Sequence, residues 1–311
     1  MTYSIAALTG IALLTAGPVL AEAEINSDTS RKLLGFGWLF TDDIFGDNAD
    51  RWRTGSVALS WILGREWDRN LPTAFGELLE IRVDISAISP EDIADPAPDD
   101  RDYAGILEIG VHTHFSRNSL DYSIGAGVVA TGPQTGIAHL QTIFHEAIGS
   151  TPVSDSLMDN QVKNDFYPVI VAEAAREYDL SPAVMLRPFA EARIGDESLA
   201  RIGVDMTIGS VGRSELLVRD KTTGHRYRAM STGPTGFSFV AGADVAYVVD
   251  SVYLPDSGDM GLERDRYRVR GGGMWQGERA SLFYGLTYLG REFSGQSHGQ
   301  VVGSLNFKMR F

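Results

Sequence analysis

The chain contains no cysteine in its 311 residues. This absence excludes disulfide-stapled scaffolds, thiol nucleophiles and zinc sites built from cysteine. Positive charge is also scarce, since 27 Lys and Arg stand against 41 Asp and Glu, which gives a net charge of −14 at pH 7. Because binding to nucleic acid depends on cationic side chains that neutralise phosphates, this balance argues against a nucleic-acid partner.

The N-terminal segment also lacks positive charge, because no Lys or Arg precedes Arg31. Residues 5–20 (IAALTGIALLTAGPVL) form an apolar run that small residues follow. This order is typical of a cleaved secretory signal and predicts a signal peptide over residues 1–21, with cleavage after Ala23 as the alternative. A membrane anchor is the competing interpretation, but the run is short for a hydrocarbon core of ~30 Å and contains helix breakers.

Long apolar runs are missing from the rest of the chain. No later segment approaches the ~18 consecutive apolar residues that a spanning helix needs. If the exported protein enters a membrane, it must therefore do so as a closed β-barrel, which satisfies every backbone hydrogen bond in lipid. No linker rich in Pro, Gly or Ser divides the mature chain, so we expect residues 22–311 to form one domain.

The C-terminal segment shows the strand pattern most clearly. A strand places alternate side chains on opposite faces, and a membrane barrel offers one face to lipid and the other to a polar lumen. Alternate residues from Val301 to Phe311 are apolar or glycine, whereas the residues between them include Ser304, Asn306, Lys308 and Arg310. A C-terminal strand that ends in Phe is also typical of outer-membrane barrels and their assembly signal.

The same alternation recurs in segments 107–115, 186–194, 201–208, 237–247 and 282–288. Charge lies on one parity in the first four segments, and 282–288 carries an apolar face of alternate residues, which favours an antiparallel transmembrane β-barrel. A soluble sandwich is the competing interpretation, but its charged face would leave a bulkier, uncharged inner face. We expect the five tryptophans to supply interfacial girdles, at positions Trp38, Trp52, Trp61, Trp67 and Trp275.

One segment has helical instead of strand periodicity. Apolar residues in Ile137–Ile148 recur at spacings of three and four, and Gly149 follows, which predicts a short helix between strands. Gln141 and His145 lie four residues apart, so both project from one face of this helix. A neutral histidine in this position is able to take a proton from water.

Several short motifs, in this order along most of the mature chain, resemble those of the lipid A 3'-O-deacylase family of outer-membrane enzymes. The matching segments are Asp42-Asp43-Ile44-Phe45, Asp50-Arg51-Trp52-Arg53-Thr54, Ser89-Pro90, Asp100-Arg101-Asp102-Tyr103-Ala104-Gly105, Gly132-Pro133 to Gly136, Gln141 to His145, and Asp159-Asn160-Gln161.

The resemblance implies a twelve-stranded barrel in the bacterial outer membrane, with its active site near the outer-leaflet end. It implies calcium-dependent hydrolysis of an acyl ester of lipid A, with lipopolysaccharide and outer-membrane lipid as partners and the barrel-assembly machinery acting during biogenesis. The implied catalytic residues are His145, Gln141, Thr54 and Asp42, and Asp43 is the implied metal-proximal residue.

Two positions differ from the family pattern. Asp42 stands where the family has Asn, and a carboxylate is unable to donate a hydrogen bond to an oxyanion; Asp42 is therefore also a candidate second calcium ligand. The family's Glu after the histidine helix is missing, and Glu146 or Asp155 is its candidate replacement. These differences leave open an alternative, a non-catalytic outer-membrane barrel with a structural, lipid-binding or pore role.

Overall fold

The computed structural model describes residues 30–93, 95–97, 100–149, 154–231, 233–254 and 261–309. The predicted signal peptide, residues 1–21, lies outside these described residues, as does the terminal Phe311. Among the described residues, the helices are too short or too polar to cross a bilayer.

Twelve antiparallel strands close into a barrel, which confirms the predicted fold. The strands of the chain are β1 (Lys32–Asp42), β2 (Trp52–Gly64), β3 (Leu78–Ser89), β4 (Ala104–Arg117), β5 (Leu120–Thr131), β6 (Asp165–Ala175), β7 (Tyr178–Ser181), β8 (Val184–Ile194), β9 (Glu197–Gly209), β10 (Leu217–Arg219), β11 (Arg226–Arg228), β12 (Gly236–Ser251), β13 (Asp265–Gln276), β14 (Ala280–Leu289) and β15 (Gln300–Met309). All except β7, β10 and β11 form the wall. Strands β1 and β15 pair at the chain termini, and β6 pairs with β8 to complete the ring.

The wall has the predicted alternation of apolar side chains on the outer face and polar side chains on the inner face. On β12, Phe239 and Val245 are 61% and 55% exposed on the outer face, whereas Asp244 between them is 4% exposed. On β15, Phe307 is exposed and its neighbour Asn306 is buried toward the lumen. The alternation therefore separates an apolar outer surface from a polar interior, as a membrane barrel requires.

The predicted tryptophan girdle is wrong for two of its members. Trp275 is 44% exposed on the outer face, but Trp52 is only 1% exposed and packs with Phe293 inside the upper end. Trp67 packs against the apolar cluster in the lumen. Both residues lie at or beyond a strand end, where the strict alternation of faces no longer determines their direction.

The connections divide the barrel into two unlike ends. The upper end carries the connections 43–51, 90–103 and 132–164, and the last of these contains α1 (Ile137–Ile148) and α2 (Asp155–Asp159). The boundaries of α1 are those predicted from the apolar spacing. The lower end carries two short turns, the connections 65–77 and 176–183, and the longest lower connection, residues 210–235, between β9 and β12.

This longer connection folds back into the barrel as the lumen hairpin, defined here as residues 211–230, with β10 and β11 as its strands. Its apolar side chains join wall side chains in one buried cluster, which includes Leu39, Ile62, Leu78, Val211, Leu216, Val218, Tyr227, Met230, Met274 and Phe283. Part of the lumen is thus a packed apolar core, which the sequence pattern did not reveal.

Two glycines of β1 allow the lumen hairpin to approach the wall. A Cβ on Gly35 would lie 2.5 Å from the Ala229 carbonyl oxygen, and one on Gly37 would lie 2.7 Å from the Ala229 Cα. Lys308 Nζ donates to the Arg228 carbonyl at 2.9 Å on the same side. The wall and the hairpin therefore meet through backbone contact instead of through side chains alone.

The opposite side of the hairpin faces a polar cavity of about 810 Å³. Ion pairs cross this side of the lumen: Arg219 Nε donates to Glu173 of the wall at 2.6 Å, and Lys221 Nζ donates to Glu108 at 2.7 Å. Mid-strand charges are thus accommodated by pairing with the hairpin and with one another as well as by water. Buried guanidinium–carboxylate pairs need such partners, because an isolated buried charge costs several kcal/mol (~3–5).

Candidate active site

Helix α1 lies on the upper ends of β3 and β4. Its N-terminus packs against Gly105 of β4, where a Cβ would lie 2.6 Å from Thr135 Oγ1 and 3.0 Å from Ile137 Cβ. Ile137 and Ala138 are buried beside Tyr103. The helix ends at Gly149, whose φ of +74° is the left-handed conformation that glycine adopts at helix C-termini.

An irregularity in β2 directs the side chain of Thr54 toward the helix at the upper end of the barrel. The register between β2 and β3 shifts between Arg53 and Gly55, so Thr54 is the extra residue of a bulge. Bulges bend a strand and redirect a side chain, and they recur next to active sites. Thr54 is 5% exposed and points to the helix, where Gln141 Nε2 donates to its hydroxyl oxygen at 3.2 Å.

Gln141 connects three side chains. Its Oε1 accepts a hydrogen bond from the Tyr103 hydroxyl at 2.8 Å. Its Nε2 faces both Thr54 Oγ1, at 3.2 Å, and His145 Nε2, at 3.5 Å. The predicted pair of Gln141 and His145 therefore does share one helix face, and that face is directed at the barrel wall.

Asp50 completes the cluster from the connection between β1 and β2. Its Oδ2 lies 3.4 Å from His145 Nε2, and the Thr54 hydroxyl hydrogen-bonds to the same carboxylate. Burial raises the pKa of Asp50, while His145 and Thr54 oppose that rise. A carboxylate this close to an imidazole stabilises the cation that forms when the ring takes up a proton.

Asp43 lies in the 3-10 turn Asp43–Phe45 that follows β1. It is 2% exposed, and its Oδ2 is buried without a hydrogen-bond partner among the described residues. Burial, together with the charges of Asp42, Asp50 and Asp47, raises the pKa of Asp43 to about 9. Four carboxyl groups thus lie close together: Asp47 pairs with Arg51 and Asp50 lies beside His145, whereas a cation bound at Asp43 would lower the raised pKa of that residue.

Asp42 accepts a hydrogen bond from the Ile44 N–H at 3.0 Å through Oδ1 and so caps the 3-10 turn. Within the described residues, no set of three or more His, Asp or Glu side chains is arranged to hold a metal. Calcium sites commonly complete six to eight oxygen ligands with backbone carbonyls and water. Two carboxylates, Asp43 and Asp42, are therefore compatible with a calcium site but supply only part of it.

The outward face of α1 is apolar. Leu140 and Ile143 are 57% and 50% exposed, and both point away from the cluster that contains His145. Glu146, one candidate replacement for the missing glutamate, is exposed on this helix, and the side chain of Asp155 lies outside what is described. The helix thus buries Ile137, Ala138 and His145 against the barrel and exposes Leu140 and Ile143 together with Glu146.

The structure brings together residues that the motifs predicted and adds two more. Thr54, Gln141 and His145 meet at hydrogen-bond distances, and Asp42 and Asp43 lie nearby at the end of β1. One addition is Asp50, which lies 3.4 Å from His145, while the neighbouring Arg51 pairs with Asp47 at 3.1 Å. Tyr103 is the other addition.

Both additions lie in motifs that contain or adjoin a predicted site residue. This position along the sequence was the signal that could have identified them. Asp50 lies four residues before Thr54 in one matching segment, and Tyr103 immediately precedes the strand on which α1 rests. Without the three-dimensional structure, Asp50 and Tyr103 were not distinguishable from the other acidic residues and tyrosines of these connections.

Comparisons with known proteins agree with this architecture. A family model described as outer membrane protein LpxR matches residues 7–311. Among solved structures, LpxR from Salmonella typhimurium matches with a TM-score of 0.67 and 15% identity, covering 89% of this chain and 100% of that chain. The beta domain of the Bordetella autotransporter Brka matches with a TM-score of 0.42 and 11% identity, covering 92% of this chain and 100% of that one. No curated protein sequence matches the chain significantly.

Proposed function

The chain belongs to the LpxR family of outer-membrane proteins, and from this premise we propose that it hydrolyses an ester-linked acyl chain of lipid A in the outer membrane. The observation that carries the proposal is the cluster of His145, Gln141, Thr54 and Asp50 at one end of the barrel. It unites a general base, hydrogen-bonding groups and a carboxylate partner, which are the components of ester hydrolysis.

In the proposed reaction, water attacks the ester carbonyl while the imidazole of His145 takes its proton. The products are the free fatty acid and the lipid A hydroxyl, which receives a proton when the intermediate collapses. Asp50, 3.4 Å from His145 Nε2, stabilises the imidazolium in between. A general base of this kind typically contributes a factor of ~10²–10⁴ to the rate.

We further propose that calcium is the cofactor, held by Asp43 with Asp42 as second carboxylate ligand. The unpartnered Oδ2 of Asp43 and the raised pKa of this residue support cation binding here. When bound, calcium supplies positive charge near the developing oxyanion. Thr54 is the proposed hydroxyl donor near this oxyanion, although its hydroxyl now donates to Asp50.

Access to lipid supports the same proposal. The upper end holds the cluster beside the exposed Leu140 and Ile143 of α1, and both side chains suit contact with acyl chains. We propose that the upper end faces the outer leaflet, where lipopolysaccharide resides, and that the barrel-assembly machinery inserts the protein.

The experiment is mass spectrometry of lipid A from cells that express the mature protein, with and without calcium, beside a His145→Ala variant. We expect wild type to remove one acyl chain in the presence of calcium and the variant to lose that activity. His139→Ala is the matched control, because His139 is exposed on the same helix. If the folded wild type leaves the acylation pattern unchanged, the hydrolase proposal fails.

The alternative is a non-catalytic barrel. Asp42 in place of the family's Asn favours it, because a carboxylate repels an oxyanion. A pore role is disfavoured, since the lumen hairpin packs against the wall through the buried cluster of Leu39, Tyr227 and their neighbours.

A further inference from the structure

The hydrogen bonds around Gln141 have a direction. The Thr54 hydroxyl hydrogen-bonds to the carboxyl of Asp50, and in the ionised form of Asp50 the hydroxyl is the donor, because a carboxylate only accepts. The Thr54 oxygen is then left as an acceptor for Gln141, 3.2 Å away. It follows that the NH₂ group of Gln141 faces Thr54 and that its carbonyl oxygen faces Tyr103.

Tyr103 is suited to hold that oxygen. Its side chain is fully buried, and its hydroxyl donates to Gln141 Oε1 at 2.8 Å. Its ring packs with Ile137 and Ala138 of α1, so both ends of the side chain are held. Burial raises the pKa of Tyr103 further above its usual value, so the hydroxyl keeps its proton at any working pH.

The orientation of the amide affects His145. With its NH₂ group toward the helix face, Gln141 offers a hydrogen to His145 Nε2 at 3.5 Å. Asp50 Oδ2 lies 3.4 Å from the same Nε2 and only accepts when it is ionised, so Nε2 lies between one donor and one acceptor. A rotated amide would instead present its oxygen to Nε2, which would then face two acceptors and be held in its protonated form.

We propose that Tyr103 is a positioning residue, whose hydroxyl fixes the amide of Gln141 and thereby keeps a hydrogen-bond donor, not a second acceptor, facing Nε2 of His145. The expected effect of Tyr103 on the reaction rate rests on the proposed hydrolysis, but its effect on Gln141 and His145 does not. Tyr103 acts through Gln141, so its effect must vanish when Gln141 is removed.

The test compares Tyr103→Phe, Gln141→Ala and the double variant. Tyr103→Phe keeps the ring packing and removes one hydrogen bond, and we expect kcat to fall about tenfold with KM unchanged. The double variant should equal Gln141→Ala alone. Effects that add in the double variant would overturn the proposal, because they would show that Tyr103 acts independently of Gln141.

The second readout is the ¹⁵N chemical shift of the His145 imidazole in the folded protein, assigned with His145→Ala. We expect the Nε2 signal of Tyr103→Phe to move, relative to wild type, toward the shift of a protonated ring nitrogen. Tyr253→Phe is the control, since Tyr253 is equally buried and donates to Asp196 at 2.6 Å away from the cluster. Unchanged His145 shifts in Tyr103→Phe would overturn the proposal, whereas shifted signals in a protein without hydrolase activity would reject the proposed function alone.

Discussion

Strand β1 provides a direct test of how the lumen hairpin is held. Gly37→Ala introduces a Cβ at 2.7 Å from the Ala229 Cα and 3.1 Å from the Arg228 carbonyl oxygen. Ordinary contacts between carbon atoms are ~3.5–4.0 Å, so the hairpin must move by about 1 Å. The Arg228 carbonyl accepts a bond from Lys308, and Ala229 N–H donates to Leu216, so the hairpin backbone is held on both sides.

The expected cost is that of over-packing a well-filled core, about 1–3 kcal/mol in the free energy of unfolding. Gly271→Ala is the matched control, because Gly271 is also a barrel-strand glycine but the nearest atom to its added Cβ is 3.9 Å away. There the same substitution should stabilise by about 0.5–1 kcal/mol, since alanine loses less conformational entropy on folding. The two variants should therefore differ by roughly 2–4 kcal/mol.

The assay is urea-induced unfolding in phospholipid vesicles, followed by tryptophan fluorescence and by heat-modifiable migration on gels. Gly37→Ala should unfold at a lower urea concentration than wild type, and Gly271→Ala at the same or a higher one. If both variants are as stable as wild type, the hairpin is not packed against β1, and the apolar cluster of the lumen needs another explanation.

Two further predictions concern the lumen and the metal. Replacement of residues 211–230 by a short Gly-Ser linker should open the lumen and give ion conductance in planar bilayers that wild type lacks; equal conductance in both proteins would show that the hairpin does not close the barrel. Asp43→Ala should abolish calcium dependence, and Asp42→Asn should raise the calcium concentration for half-maximal deacylation about tenfold, because one ligand charge is lost. If Asp42→Asn instead raises kcat and leaves the calcium dependence unchanged, Asp42 is not a calcium ligand, and its carboxylate repels the oxyanion.

Much of the wall was predictable from local pattern. The alternation on β12 and β15 assigned Phe239, Phe307 and their neighbours to the outer face, and the structure agrees. The boundaries of α1 followed from the spacing of its apolar residues and from Gly149. These features depend on periods of two and about 3.6 residues, which a sequence displays directly.

The face that α1 buries was less predictable. Its apolar residues divide, since Ile137 is buried whereas Leu140 and Ile143 are exposed, and the polar Gln141 and His145 point inward. In a soluble protein the apolar face would turn to the core, but here the surroundings of the helix are proposed to be lipid. The same spacing is thus compatible with opposite orientations, and the solvent decides between them.

The sequence by itself determined the order and facing of the wall strands, the helix and the proximity of Gln141 to His145, because each depends on residues close together in the chain. Only the tertiary structure decided that residues 211–230 enter the lumen and that Asp50, Thr54 and Tyr103 meet the helix face. The physical reason is that closing the barrel creates the interior volume and the upper end. The shape and charge of the closed barrel decide which segment fills that volume and which side chains meet at that end. The barrel has this shape only once β1 has paired with β15.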